Sequence, residues 1–200
     1  MRIIVIQKSL ESVLEKLVRD GSIIPPPMRR YKNHFSTPTL LASTVSLVLF
    51  ILLTFSFAGI GAMASVSAGA MYGHIVKPTW APPAYLFGPV WTCLYAMMAF
   101  ASWLVWREHK RMRVSMGIKV YAIHLVFNAL WSWLFFGWGR ADFAMLNIIF
   151  LWGLVLWLTC CYWRINRWAG SLMLPYLLWV SFASVLNGSL WILNGNIISR

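Results

Sequence analysis

The chain has 200 residues, of which 60% are hydrophobic and 11% charged, about half the charged fraction of an ordinary soluble domain. Seventeen Lys and Arg against five Asp and Glu give a formal charge of +12, and four of the acids (Glu11, Glu15, Asp20, Glu108) lie outside the apolar stretches. This composition excludes a soluble globular domain and points to a membrane protein.

Residues 1–38 differ from everything that follows. The mixed-charge stretch "QKSLESVLEKLVRDG" sets Leu10, Val13, Leu14 and Leu17 at helical spacing, and Pro25 to Pro27 end any such helix. Two readings stand side by side: a surface amphipathic helix, or a dispensable extension, since Met28 followed by "RRYKNHF" would itself make a start. Neither a secretory signal nor a transit peptide fits this arrangement of charges.

From there the sequence contains five apolar runs, at about 39–63, 83–106, 118–138, 142–163 and 169–193. Each matches the roughly 20 helical residues that cross a hydrocarbon layer of about 30 Å. The predicted fold class is therefore all-α, an integral membrane bundle of five helices forming one domain over 39–195. In the first span, "AGIGAMA" (58–64) presents small residues that permit close helix approach, either between two copies or within one chain.

Between the first and second spans, "HIVKPTWAPPAYLFGPVWTCLY" (74–95) places four prolines and two tryptophans. Pro82 and Pro83 suit the start of a helix, where a missing N–H has no partner to lose. Pro89 falls inside the predicted span and is expected to kink it. Trp80 and Tyr85 sit at interface depth, where a ring with a polar edge is comfortable. Trp91 and Tyr95 lie deeper, four residues apart on one face. They are read either as packing or as the wall of a pocket for a flat apolar ligand.

The third span puts His124, Asn128, Trp131 and Phe135 on one face, and the fifth aligns Tyr176, Trp179 or Val180, Ala183, Asn187 and Trp191. Amides at this depth need partners across helices or on a ligand. Two of them accompanied by two indoles in separate spans suggest a shared cavity. Thirteen tryptophans exceed what interface belts require, so many are expected to face inward. His124, the only ionisable group well inside a span, reads as a packing residue, and Asp142 as a helix cap.

Basic residues set the predicted topology. Seven Lys and Arg precede the first span, five fall in the second loop and two in the fourth, against Lys77, Arg140 and Arg200 on the other side. That asymmetry predicts a cytoplasmic N-terminus and makes the net charge a topology signal, not a nucleic-acid footprint. Cys93, Cys160 and Cys161 all fall within spans with no CxxC or Cys/His spacing, so neither a disulfide nor a metal site is expected.

The motifs together resemble the TspO/MBR family, the tryptophan-rich sensory proteins of bacteria and the translocator proteins of mitochondria, also described as peripheral-type benzodiazepine receptors. "YGHIVKPTWAPP" is similar to its first-loop signature, carried here by Tyr72, Ile75, Lys77, Pro78, Trp80, Pro82 and Pro83. "GPVWTCLYAMMAFASWLVW", "FNALWSWLFFG" and "PYLLWVSFASVLNGSLWILN" resemble the second, third and fifth helices, in the same order, over about residues 40–195.

The resemblance implies a five-helix bundle, commonly a homodimer, in a bacterial inner membrane, whose cavity is closed on one side by the first loop. It implies porphyrin or haem as ligand with no required cofactor. It places Tyr72, Pro83, Trp91, Asn128, Phe135 and Trp191 at positions that line the family's pocket. With the residues singled out from spacing, the candidate ligand-binding set is Tyr72, Trp80, Pro83, Trp91, Tyr95, Asn128, Trp131, Phe135, Asn187 and Trp191. Gly188 and Ile192 stand where animal relatives carry the Tyr and Arg of a proposed cholesterol motif, which puts sterol recognition in doubt.

A tetrapyrrole sensor or carrier is the leading expectation. A light-dependent porphyrin-degrading enzyme, with Trp91 and Trp191 next to the excited ring, is the alternative. A porphyrin transporter is a further one, disfavoured by the scarcity of intramembrane charge.

Overall fold

The computed structural model describes residues 39–66, 68–108 and 112–195, so the expectations for residues 1–38 lie outside the described residues. Its helices are α1 (Leu40–Ala64), the short α2 (Ala68–His74), α3 (Phe87–Arg107), α4 (Met112–Ser132), α5 (Ala141–Ile165) and α6 (Arg167–Asn194). A 3₁₀ turn, Ala84–Leu86, leads into α3, and a π turn, Trp133–Gly137, prolongs α4. Five of these segments are long and apolar enough to cross a membrane, and no strand occurs among the described residues.

Neighbour packing closes the five spans into a ring in the order α1, α3, α6, α5, α4, with α5 and α6 the most extensively packed pair. Lipid offers apolar side chains no incentive to leave it, so contact between helices depends on close approach and on hydrogen bonds. Both are present. A Cβ on Gly61 would lie 3.2 Å from Ser132 Oγ, and one on Gly117 would lie 3.3 Å from Tyr162 Cε1, marking where α1 and α5 press against α4. Indole N–H groups supply the directional ties. Trp103 donates to the Ser43 carbonyl (2.9 Å), Trp133 to the Ile60 carbonyl (3.1 Å) and Trp152 to Ser181 Oγ (2.8 Å).

The expectation that many tryptophans face inward is corrected. Of the thirteen, Trp131 alone is buried, while Trp80, Trp138, Trp152, Trp157, Trp163, Trp168 and Trp191 are exposed. An indole is too bulky for the closest helix crossings and is at ease on a lipid-facing or interfacial surface, which accounts for the distribution. The expected kink at Pro89 is corrected as well. α3 begins at Phe87, so Pro89 is its third residue, where an N–H would lack an intrahelical partner anyway. The proline that does fall inside a span is Pro175 in α6.

Asp142 does not cap α5. Arg140 occupies the cap position, and Asp142, in the first turn, accepts two hydrogen bonds from its guanidinium, from Nε at 3.0 Å and from Nη2 at 2.7 Å.

A single residue joins α5 to α6. Asn166 is extended (φ −147°, ψ 120°) and its side-chain oxygen accepts from the N–H groups of Trp168 (2.9 Å) and Ala169 (3.2 Å). So short an elbow brings the two helices into backbone contact at Gly170, where a Cβ would come within 2.6 Å of Trp163 Cα. Because the obstructing atom is backbone, it cannot swing aside. Gly170→Ala is expected to destabilise the bundle by about 1–3 kcal/mol, as overpacking does elsewhere. A drop in the unfolding midpoint in detergent micelles measures this, and an unchanged midpoint would contradict the close approach.

Candidate functional site

At one end of the bundle the helices part around a cavity of about 550 Å³, within the range of small-molecule sites. α1 contributes Phe55, Ala58 and Gly61, and α2 contributes Ala68 and Tyr72. α3 adds Phe87, Trp91 and Tyr95, α4 adds Trp131 and Ser132, the π turn adds Phe135 and Phe136, and α6 adds Ala183, Asn187 and Leu190. Small residues on α1 therefore leave room, and aromatic residues on α3 and α4 fill the facing walls.

Two stacked pairs form those walls. Trp91 lies against Tyr95 with centroids 5.4 Å apart and an interplanar angle of 29°. Trp131 lies against Phe135 at 5.5 Å and 19°. The π turn holds Phe135 and Phe136 toward the cavity. Its i to i+5 bond, Trp138 N–H to the Trp133 carbonyl (2.8 Å), inserts an extra residue into the turn. Gly139 then ends the turn at φ +62°, a left-handed conformation that other residues rarely adopt.

Behind the α3 wall sits a polar relay. Tyr95 Oη donates to Asn128 Oδ1 (2.5 Å), and Asn128 Nδ2 donates to Tyr176 Oη (2.8 Å). Three helices, α3, α4 and α6, are thus joined through one amide, and the Tyr176 ring meets Trp91 edge-on at 6.2 Å. On the opposite side Trp131 Nε1 donates to Asn187 Oδ1 (3.2 Å), while Asn187 Nδ2 donates to the Ala141 carbonyl (3.3 Å). His124 is wholly buried, and its Nδ1 donates to the Tyr121 carbonyl at 2.6 Å.

Six of the ten candidate residues line the cavity: Tyr72, Trp91, Tyr95, Trp131, Phe135 and Asn187. Four lie elsewhere. Asn128 is buried behind Tyr95, and Pro83 precedes the 3₁₀ turn on the surface. Trp80 is half exposed, edge-on to Phe182 at 5.8 Å. Trp191 is 38% exposed on the outside of α6. The buried stripe of that helix runs Tyr176, Val180, Ala183, Asn187, Leu190, Asn194, spaced alternately by four and three. At 100° per residue Trp191 stands about 60° off its axis, and Leu190 takes the inward place.

Phe87 lines the cavity without having been singled out, although it stands four residues before Trp91 on the face that Tyr95 continues. Phe55 carried no comparable signal, being one apolar residue among many in α1.

Tyr72, where the first loop begins, brings that segment to the edge of the cavity. Tyr72, 7% exposed, lines it and donates from Oη to the Pro82 carbonyl (3.1 Å); burial pushes its phenol above the usual range, so it remains a neutral donor. Lys77 Nζ donates to the Tyr72 carbonyl (2.6 Å) and stands 5.0 Å from that ring.

Five membrane-crossing helices packed in a ring, four of which line an aromatic cavity, define a multi-pass membrane protein. The TspO/MBR family model matches residues 32–192, and the chain belongs to that family. It is 36% identical over 152 residues to a tryptophan-rich protein TspO of Chlorobaculum tepidum, covering 76% of this chain and 96% of the relative. It is 34% identical over 125 residues to a tryptophan-rich sensory protein of Cereibacter sphaeroides (62% and 77%). It is 32% identical over 124 residues to the human translocator protein (60% and 72%).

Asn128→Leu would strand two buried tyrosine hydroxyls and is expected to cost about 2 kcal/mol or more, since an unpaired buried donor or acceptor costs about 1–3 kcal/mol. Combining it with Tyr95→Phe and Tyr176→Phe removes every stranded atom and is expected to restore most of the loss. Unfolding in micelles measures both, and a triple variant weaker than Asn128→Leu alone would refute the relay.

Proposed function

We propose that the cavity binds a tetrapyrrole, porphyrin or haem, and that the protein acts as a membrane sensor or carrier for it. The observation that carries this reading is the pair of stacked aromatic walls facing one apolar space. A flat macrocycle offers two large π faces, and offset or edge-on contact with Trp91, Tyr95, Trp131 and Phe135 suits it better than a flexible chain. The carboxylate tails of such a ligand favour the loop end, where Lys77 supplies a positive charge and Tyr72 a hydroxyl. A named sensory protein and a named translocator protein among the relatives accord with binding coupled to signalling or to movement of a ligand.

The basic residues orient the chain with its N-terminus in the cytoplasm, within a bacterial inner membrane. This puts the loop end of the cavity on the opposite face. A homodimer belongs to the same proposal, and crosslinking in native membranes gives its stoichiometry. The 58–64 stripe of α1 is partly occupied within the chain, by the cavity and by Ser132.

Titration of protoporphyrin, followed through its main absorption band, tests the site. Trp91→Ala and Phe135→Ala are each expected to weaken binding about tenfold or more, as loss of a central aromatic anchor does in other interfaces. Trp191→Ala, on the outer face, is expected to leave affinity within about twofold, because a residue that does not touch the ligand contributes little. Unchanged affinity in both cavity variants would remove the proposed pocket. Illuminating the complex adds a second readout: a preserved spectrum supports a binding role, and a new absorbing product points to catalysis.

A further inference from the structure

The segment from Tyr72 to Pro82, which meets the cavity at Tyr72, is bonded chiefly to itself, through Tyr72 Oη to the Pro82 carbonyl and Lys77 Nζ to the Tyr72 carbonyl. Its directional tie to a spanning helix is Asn194, the last residue of α6, 118 positions away in sequence. The side-chain amide pairs reciprocally with the backbone of Val76. Oδ1 accepts the Val76 N–H at 2.8 Å and Nδ2 donates to the Val76 carbonyl at 2.8 Å. Nδ2 also donates to the Leu190 carbonyl at 3.0 Å, and the residue is 3% exposed.

This geometry needs a carboxamide. Asp would set two acceptors against a carbonyl, and Leu would offer neither donor nor acceptor. The helix end is also unlike one finished by a left-handed glycine, because Gly195 is right-handed at φ −51°. Asn194 takes up one of the carbonyls a helix end leaves open and directs the rest of its amide to the loop. Val76 has its own side chain 58% exposed, so packing does not hold that residue down, while Ile75 beside it is buried. Asn194 itself does not line the cavity.

We propose that this segment is a cover and Asn194 its latch, a positioning residue that keeps residues 72–77 closed over the cavity and so sets how fast its contents exchange. The latch follows from the hydrogen bonds alone; its effect on a ligand rests on the reading of the cavity as a tetrapyrrole site. Loss of the latch raises the share of time the cover is open, which speeds entry and exit of a ligand alike, so kinetics change more than affinity.

The test compares the wild-type chain with Asn194→Ala, with the near-isosteric Asn194→Asp, and with Ile192→Ala as a control 83% exposed on the same turn. Amide hydrogen exchange at Val76 in nanodiscs is expected to accelerate about tenfold or more in Asn194→Ala, which loses both bonds to Val76, and by less in Asn194→Asp, which can still accept the N–H but sets a second oxygen against the carbonyl, and not in the control. Stopped-flow binding of protoporphyrin is expected to show association and dissociation both faster by several-fold, with the dissociation constant changing less than either. Unchanged Val76 exchange in both variants overturns the latch. Faster Val76 exchange with unchanged protoporphyrin rates overturns its control of the cavity. If the wild-type chain binds no protoporphyrin, the tetrapyrrole reading falls, and Val76 exchange by itself then decides for or against the latch.

Discussion

One amide sets the position of the first aromatic wall of the cavity. Inside a bilayer the apolar surfaces of two helices gain little by touching each other instead of lipid, so position has to be fixed by groups that lipid cannot satisfy. Asn128 is such a group. It reaches Tyr95 on α3 and Tyr176 on α6, and because Trp91 stacks on one tyrosine and abuts the other, the orientation of that indole follows from the relay. Asn187 does the same for the second wall by holding the Trp131 indole, on which Phe135 stacks. The aromatic surfaces are kept in place by side-chain hydrogen bonds that run from one helix to the next.

Much of this was legible in the residues. Apolar runs of sufficient length, broken by charge and proline, mark five spans because crossing a bilayer imposes a length, and the faces of His124 to Phe135 and of Tyr176 to Asn187 emerge buried as helical spacing requires. What sequence could not give is the phase at which a stripe drifts. An interval of four residues advances a helix by 40° beyond a full turn. A face read by fours therefore included Trp191, where the alternating stripe chose Leu190. Nor could it tell that Asn128 would meet tyrosines rather than the cavity, since an amide's partner is set by neighbours distant in sequence. The π turn is hidden for a related reason: it depends on how Trp133 to Gly139 are satisfied in three dimensions, not on their periodicity.

Tryptophan serves two distinct purposes here. On the outer surface it is a bulky amphipathic residue tolerated by lipid and favoured at the interface. At contacts between helices it is a hydrogen-bond donor of fixed direction. Trp103, Trp133, Trp152 and Trp131 each carry an N–H from one span, or its π extension, to another. These bonds link α3 and α4 to α1, and α4 and α5 to α6. Composition alone counts both kinds together, and so overstates how many indoles can surround a ligand.

The length of α6 adds a dependence on the surrounding membrane. Its 28 residues extend about 42 Å, roughly 12 Å beyond the hydrocarbon layer, and an ordinary tilt of about 20° absorbs only a small part of that excess. With Trp168, 78% exposed beside Arg167, suited to an interface at the first turn, the surplus length would fall at the far end, toward Asn194. At an interface the dielectric changes steeply over a few ångströms. Hydrophobic mismatch at α6 would therefore bear on Asn194: a thicker or more ordered bilayer would set this helix end nearer the acyl chains, and a thinner one nearer water.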